Sequence, residues 1–353
     1  MACGACPIAV PALFGPTASG KTAALLRVFG RGGLRGGRAE VVSADSMQVY
    51  RGMDIGTAKP SAREMELLPH HLLGICDPSE QFSAGDFVRL ALEAIDGIAG
   101  RGALPVVAGG AGFYLKNLIL GLPEAPPSDA AIRAALKLEL RVKGSAALMA
   151  ELERFDPASA ERIHVNDEYR LLRALEVLRL CGKPLSSFAS AAQAPAGSPA
   201  GGAEGSGGAI GGLRGRYRFV ALGLFRPREE LGRRIDERCA AMFAQGLPGE
   251  ARALFDAGYT PRDPGLRAIG YREFFVEEEP PPSGPGGYRL SEDLAGVQGL
   301  VARNCRRYAK RQATFFASLP GAKWVPAGRS DDETALRLWR ELEALGFGGQ
   351  SQG

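Results

Sequence analysis

Apolar runs of strand length alternate with an amphipathic helical segment along the first third of the chain. Pro7–Phe14, Glu40–Ala44 and Leu104–Ala108 are mostly apolar runs, whereas Phe82–Ile98 repeats its apolar residues at helical spacing. Short runs without polar alternation are typical of strands that are buried on both faces. Strands that alternate with helices predict an α/β fold with a mostly parallel sheet flanked by helices.

The pattern changes beyond residue 123. Residues 128–181 have helical periodicity and contain no candidate strand, and the strand pattern returns at Arg218–Leu224. Residues 189–216 form a low-complexity segment rich in Gly, Ala and Ser, which predicts a flexible loop. We therefore expect an α/β core that is interrupted by an all-helical insertion domain. The predicted parts are a first core segment 1–122, a helical insertion 123–188, the low-complexity loop 189–216, a second core segment 217–330, and a C-terminal helix and tail 331–353.

The first predicted strand leads into a glycine-bounded loop and then into a helical segment. The loop has the G-x-x-x-x-G-K-[ST] spacing of a phosphate-binding loop. It consists of Gly15, Pro16, Thr17, Ala18, Ser19, Gly20, Lys21 and Thr22. Glycines let backbone N–H groups converge on phosphate oxygens, toward which the helix directs its positive end. Lys21 adds a positive charge, and the Thr22 hydroxyl is suited to hold Mg²⁺. We interpret this loop as a phosphate site rather than an ordinary Gly-rich turn, and the core as P-loop NTPase-like.

Asp45 and Ser46 follow directly after the second predicted strand. Ligands of open parallel sheets bind outside the carboxyl ends of the strands, so we expect Asp45 in the same crevice as Lys21. A carboxylate in this position is suited to three roles, as a ligand on the magnesium side, a general base or a helix N-cap. Its position alone does not decide among the three.

Composition and charge restrict the class of protein only weakly. The 353 residues are 45% hydrophobic and 23% charged, with a formal net charge of +4 at pH 7. This balance is ordinary for a globular protein and permits a nucleic-acid partner without requiring one. No apolar run approaches the roughly 18 residues of a membrane helix, and the six scattered cysteines do not indicate disulfides. We expect a cytoplasmic protein without a membrane partner.

A phosphate site together with arginine-rich elements fits more than one function. A small-molecule kinase would have the same loop, and it would bind and use ATP. A non-catalytic RNA-binding module would have similar arginines, and it would form no product. The basic stripe on the helix predicted for 292–316 indicates either a solvated face or contact with a phosphate backbone.

Seven short motifs occur along the chain in one characteristic order. They are Gly15–Thr22, Asp45-Ser46 with Tyr50, Asp54–Pro60, Pro69–Leu72, Phe82–Phe87, Arg170–Val177 and Ala268–Arg272. Together they closely resemble the tRNA dimethylallyltransferases, also called tRNA isopentenyltransferases, of the bacterial type. The resemblance covers roughly residues 8–325, interrupted by the low-complexity segments. One such motif would be weak evidence, but seven in sequence are highly specific.

The resemblance implies that a five-carbon group moves from dimethylallyl diphosphate to N6 of adenosine 37 in the anticodon loop of tRNA. It implies tRNA and dimethylallyl diphosphate as partners and Mg²⁺ on Thr22 as cofactor, and we expect a monomer. Asp45 matches the family's general base, and Arg238 matches an arginine that binds the diphosphate with Lys21. Without the resemblance, a surface ion pair would be the alternative for Arg238. The implied catalytic residues are Lys21, Thr22, Asp45 and Arg238.

The resemblance also implies a set of tRNA contacts. They are Asp45, Ser46, Met47, Gln48, Ala111, Arg133, Tyr169, Arg170, Leu171, Leu172, Arg173, Arg267, Ala268, Ile269, Gly270, Tyr271 and Arg272. Arginines in such a set suit phosphates, and aromatic rings suit unstacked bases. Ala111 departs from the family, which usually has threonine here, so a hydroxyl near the target adenosine is missing.

Overall fold

The chain forms two compact units in a computed structural model, which describes residues 7–122, 125–188, 213–278 and 287–348. The first unit combines Met1–Ile119 with Leu213–Gly353, and the second unit is Leu120–Gly212. The insertion predicted at 123–188 falls within the second unit. Among the described residues, no helix is both long and apolar enough to cross a membrane.

A six-stranded sheet forms the centre of the first unit. Its strands are β1 (Ile8–Phe14), β2 (Ala39–Ser43), β3 (His70–His71), β4 (Leu104–Gly109), β5 (Tyr217–Phe225) and β8 (Lys323–Pro326). The strands β6 (Phe275–Glu277) and β7 (Tyr288–Leu290) form a separate antiparallel pair. The strand order is β3-β2-β4-β1-β5-β8, and every neighbouring pair is parallel. The predicted α/β fold with a mostly parallel sheet is therefore confirmed.

Nine α-helices belong to the described part of this unit. They are α1 (Lys21–Phe29), α2 (Ala62–Leu67), α3 (Ala84–Gly100), α4 (Gly112–Leu120), α8 (Leu213–Arg216), α9 (Arg228–Ala244), α10 (Leu247–Asp256), α11 (Leu294–Ala317) and α12 (Asp331–Ala344). The helices α1 and α12 share a buried apolar cluster with the strands, and α3 packs against β2 and β4. The prediction of a loop at 189–216 was wrong at its end, because the last four residues of that segment form the short helix α8. Residues 189–212 lie outside the described ranges.

Three central strands end at one edge of the sheet. Phe14 at the end of β1 pairs with Gly109 at the end of β4, and Ser43 at the end of β2 pairs with Ala108. Because β4 lies between β1 and β2, the chain leaves the sheet at three adjacent points. Neighbouring strands lie about 4.8 Å apart, so the ends of β1 and β2 are separated by roughly 10 Å.

The second unit is helical over its described residues. It contains α5 (Ala130–Phe155), α6 (Pro157–Ala160) and α7 (Glu168–Cys181), and α5 bends at Gly144, where φ is +78°. Leucines from α5 and α7 form its buried apolar cluster. The all-helical pattern predicted for 128–181 is confirmed.

A buried carboxylate joins the two long helices of this unit. Glu176 is fully buried, and it accepts hydrogen bonds from the Ser128 hydroxyl at 2.5 Å, the Asp129 N–H at 2.9 Å, Arg173 at 3.0 Å and Arg133 at 3.1 Å. Burial alone would raise the pKa of Glu176, but these hydrogen bonds and the arginine charges outweigh it and lower the pKa. The carboxylate is therefore charged in the folded unit.

We expect Glu176→Ala to destabilise the second unit by about 3–5 kcal/mol, because it leaves two arginines without their buried partner. Chemical denaturation followed by far-UV circular dichroism measures this loss. The control is Glu153→Ala, the same change at an exposed position of α5, with an expected loss of about 0.5 kcal/mol or less. Equal stabilities of the two variants would contradict the structural role of Glu176.

Candidate active site

The phosphate-binding loop joins β1 to α1 through an unusual backbone. Gly15 passes close to β5, so that a Cβ on Gly15 would stand 2.6 Å from the Leu224 carbonyl oxygen. Gly20 and Ala18 both have positive φ, +96° and +61°. An L-residue such as Ala18 rarely adopts this conformation. The loop therefore depends on its neighbours to keep its shape, while the first N–H groups of α1 are available to an anion.

Two arginines hold carbonyl groups of this loop. Arg234 Nε donates to the Ala18 carbonyl at 3.0 Å, and Arg226 Nε donates to the Ser19 carbonyl at 2.9 Å. Arg226 is buried, and its Nη1 also donates to Glu230 at 2.5 Å. The two bonds fix the loop at the residue with the strained conformation and at the residue after it.

Gln312 of α11 holds the loop from another direction. Its Oε1 accepts from the Thr17 N–H at 2.9 Å, and its Nε2 donates to the Gly110 carbonyl at 2.8 Å. Gln312 thus connects the phosphate loop to the segment after β4. Sequence analysis missed both Arg226 and Gln312. The only signal for Gln312 is an amide on the face of α11 where Val301 and Phe316 are buried.

Lys21 is folded back onto the loop. Its Nζ donates to the carbonyl of Gly15 at 2.7 Å and to that of Pro16 at 2.9 Å. Burial lowers the pKa of Lys21 to about 7; the charge of Arg238 acts in the same direction, and that of Asp45 acts against it. Near neutral pH, charged and neutral forms of Lys21 therefore coexist until an anion binds.

Asp45 has one fixed oxygen and one free oxygen. Its Oδ1 accepts from the N–H groups of Met47 at 2.9 Å and Gln48 at 3.3 Å. The Gln48 side chain in turn accepts from the Ser43 hydroxyl at 3.0 Å and donates to the Thr57 carbonyl at 3.2 Å. Within the described ranges, Oδ2 accepts no hydrogen bond and no helix begins at Asp45. The helix N-cap alternative is therefore wrong, and Oδ2 is available to a proton.

Gly110, in the segment after β4, lets the Gln312 side chain approach the backbone closely. A Cβ on Gly110 would stand 2.5 Å from Gln312 Nε2 and 3.9 Å from Asp45 Oδ2. Glycine is therefore required at this position if the Gln312 amide is to keep its place, whereas Asp45 lies at an ordinary contact distance.

Arg238 lies on α9, one helical turn after Arg234. Burial lowers its pKa, and the nearby Asp45 opposes this shift. Asp236, an acidic neighbour on the same helix, forms an ion pair with Arg306 instead. In the part of the chain that the structure describes, no carboxylate lies within ion-pair distance of Arg238. The surface ion-pair alternative is therefore wrong, and the guanidinium remains available to an anion.

The four residues expected to act in catalysis line one cavity of about 900 Å³. They are Lys21, Thr22, Asp45 and Arg238. Thr17–Gly20 of the loop also line the cavity, whereas Gly15 and Pro16 do not. The cavity wall includes apolar groups from α9, namely Ile235, Ala241 and Met242. It thus combines an anion site, a carboxylate and an apolar surface.

Thr22 fits the role of a magnesium ligand. Its hydroxyl belongs to an exposed residue on the cavity wall, and Mg²⁺ prefers oxygen ligands, several of them from water and substrate phosphates. Over the described ranges, no cluster of three or more His, Cys, Asp or Glu residues could hold a metal without such help. The Thr22 hydroxyl thus fits a cation whose other ligands are phosphate oxygens and water.

The segments expected to contact tRNA in the first unit lie only partly on the cavity. The residues that line it are Asp45, Ser46, Met47, Gln48, Arg267, Ala268, Ile269 and Arg272. Tyr271 is 0% exposed, and its hydroxyl donates to Glu250 at 2.5 Å and accepts from the Gly56 N–H at 3.1 Å. Its ring is therefore not available to stack on a base, because it supports the 54–60 segment. Ala111 and Gly270 are buried as well and do not line the cavity.

In the second unit, the expected tRNA contacts divide between surface and core. Tyr169 is 49% exposed and Arg170 is exposed, whereas Leu171 and Leu172 are buried in the apolar cluster and are corrected to core residues. The Arg133 guanidinium lies 4.8 Å from the centre of the Tyr169 ring. The packing of α7 on α5 explains this division, because Leu171 and Leu172 belong to the apolar cluster that the two helices share.

Comparison with known proteins gives one consistent family. The IPP transferase family model matches residues 48–319. The tRNA dimethylallyltransferase of Geobacter sulfurreducens is 43% identical over 314 residues, which are 88% of this chain and 89% of that protein. The tRNA dimethylallyltransferase of Methylibium petroleiphilum is 41% identical over 336 residues, 94% of this chain and 93% of that protein.

Solved structures agree with this family. The full-length tRNA isopentenylpyrophosphate transferase of Bacillus halodurans is 31% identical, with a TM-score of 0.59 over 96% of this chain and 98% of that chain. A eukaryotic dimethylallyltransferase acting on tRNA has a TM-score of 0.67 over 96% of this chain at 23% identity, which supports the fold alone. The resemblance that the seven motifs indicated is confirmed: the chain belongs to the tRNA dimethylallyltransferase (IPP transferase) family.

Proposed function

We propose that the protein is a cytoplasmic enzyme that transfers the dimethylallyl group of dimethylallyl diphosphate to N6 of adenosine 37 in tRNA and releases diphosphate. The observation that carries this proposal is a single cavity that the phosphate loop, Arg238 and Asp45 all line. The names of the related proteins support the same reaction.

In the proposed reaction, the N6 lone pair attacks C1 of the donor, and a C–N bond forms. The C1–O bond breaks, and its electron pair stays on the departing diphosphate. The proton that N6 loses passes to Asp45 Oδ2, the oxygen without a hydrogen bond from the described residues. General-base assistance of this kind accelerates reactions by about 10²–10⁴-fold.

The departing diphosphate gains negative charge, which the loop region is suited to neutralise. Backbone N–H groups at the start of α1, Lys21 and Arg238 supply fixed positive potential in a partly buried site. Thr22, with phosphate oxygens and water, would hold Mg²⁺, which supplies additional positive charge when bound. The apolar wall formed by Ala241 and Met242 suits the five-carbon group.

For tRNA, the proposal relies on the exposed members of the expected set. Arg267 and Arg272 are exposed residues on the cavity wall, and Arg170 is exposed on α7. Arginines suit phosphate contacts, and the half-exposed ring of Tyr169 is suited to a base that has left its stack. Leu171 and Leu172 instead belong to the apolar cluster of the second unit.

We expect the wild-type protein to add one five-carbon unit to unmodified tRNA, and Asp45→Asn to lower this rate about 10²–10⁴-fold because the base is lost. Mass spectrometry of the digested tRNA measures the product. Asp256→Asn, the same change at an exposed position of α10, is the control and should retain the rate. Transfer of phosphate from ATP, without prenylated tRNA, would instead identify a kinase.

Donor binding should become weaker as the pH rises above about 7, the pKa of Lys21 in the free protein. The diphosphate favours the charged lysine, so the pKa of Lys21 rises on binding and a proton is taken up. Affinity then falls by up to about tenfold per pH unit. Calorimetry with dimethylallyl diphosphate at pH 8, in buffers that differ in ionisation enthalpy, measures the uptake.

Lys21→Met should remove this proton uptake, whereas Lys143→Met, at an exposed lysine of α5, should leave it unchanged. An uptake in Lys21→Met equal to that of the wild type would assign the proton to another group and contradict this account of Lys21.

Gln312→Ala should lower the single-turnover rate about tenfold or more, because Thr17 and Gly110 each lose a hydrogen-bond partner and an unpaired buried group costs about 1–3 kcal/mol. Gln312→Glu should not rescue the rate, since a carboxylate cannot donate to Gly110. The control is Thr314→Ala, at an exposed position of the same helix. A Gln312→Ala rate within about twofold of the wild type would show that this bridge is dispensable.

A further inference from the structure

Arg234 stands beside the phosphate loop with most of its donors unused. It is half-buried on the cavity wall, and its Nε donates to the Ala18 carbonyl at 3.0 Å. A guanidinium has five N–H donors, and this bond uses one. Within the four described ranges, no oxygen accepts a hydrogen bond from its terminal nitrogens Nη1 and Nη2. The planar end of the side chain is therefore available to a ligand in the cavity.

The carboxylates near Arg234 form ion pairs with other residues. A point beside Gly20, where a Cβ would lie, is 3.8 Å from Arg234 Nη2 and 3.9 Å from Asp331 Oδ1. Asp331 forms its ion pair with Arg27. Arg226, which is 3.3 Å from the same point, is paired with Glu230. Arg234 has no such partner among the described residues.

Position on the helix places Arg234 with the anion-binding groups. It precedes Arg238 by four residues on α9, so the two side chains lie on the same face of the helix. The preceding residue, Arg233, is exposed and pairs with Glu237. Only one of these two adjacent arginines lines the cavity.

We propose that Arg234 is a second leaving-group arginine: its Nε holds the Ala18 carbonyl, and its terminal nitrogens bind the diphosphate as the C1–O bond breaks. This inference rests on the proposed prenyl transfer. A guanidinium binds two phosphate oxygens at once in a fixed geometry. Arg234 would thereby fix the loop and the leaving group relative to each other.

An arginine keeps its charge over the whole physiological range. Together with Arg238 one turn away, Arg234 would therefore add a permanent positive charge to the anion site.

The test separates the two functions of Arg234. In Arg234→Gln, the glutamine Nε2 follows the same number of side-chain atoms as the arginine Nε, so the bond to Ala18 is retained and the terminal nitrogens are removed. We expect inorganic diphosphate, measured by calorimetry, to bind about 10- to 100-fold more weakly, as for loss of charge-assisted hydrogen bonds. Arg234→Ala should lower the affinity for inorganic diphosphate by at least the same factor. Arg233→Gln is the matched control and should bind as the wild type.

Thermal unfolding within a few degrees of the wild type, together with unchanged tRNA affinity, will show that Arg234→Gln is folded. Wild-type diphosphate binding and transfer rates in a folded Arg234→Gln would overturn the inference, because Arg234 would then be a loop support only. Failure of the proposed function gives a different result. In that case the wild type forms no prenylated tRNA, whereas the difference in diphosphate affinity between the wild type and Arg234→Gln persists.

Discussion

The alignment of three parallel strand ends is the constraint on which the site depends. The strands β1, β4 and β2 are adjacent and end at one edge, so the phosphate loop, Gly110 and Asp45 leave the sheet side by side. A parallel sheet fixes these positions through its backbone hydrogen bonds and buried core, independently of any ligand. The two chemical functions, anion binding and proton acceptance, are therefore held at a distance that the sheet itself determines.

The loop keeps its shape because the second half of the unit holds it. Ala18 has a left-handed conformation that is unfavourable for an L-residue, and Arg234 and Arg226 bind the carbonyls of Ala18 and Ser19. Gln312 binds the loop from α11. These side chains come from β5 onward, so the anion site is completed only when the chain returns to the sheet after the helical insertion. The anion site therefore needs residues from both sequence segments of the unit.

The sequence predicted what local pattern determines and missed what tertiary packing determines. Strand runs and loop spacing identified the parallel sheet and the position of Lys21, because backbone geometry follows from neighbouring residues. Burial depends on partners far away in the chain. Tyr271 was predicted to contact tRNA, but its hydroxyl binds Glu250 on α10. Leu171 and Leu172 belong to a core that only the packing of α5 on α7 creates, and Gln312 has no motif at all.

The spacing of the strand ends leaves room for an acceptor between the phosphate loop and Asp45. Asp45 follows β2, and the ends of β1 and β2 are roughly 10 Å apart. A diphosphate held at the loop can present a carbon attached to its far oxygen toward Asp45, with an acceptor amine between the two. The groups around the loop then need only stabilise a leaving anion, a task for which Lys21, Arg234 and Arg238 are suited because they line the same cavity.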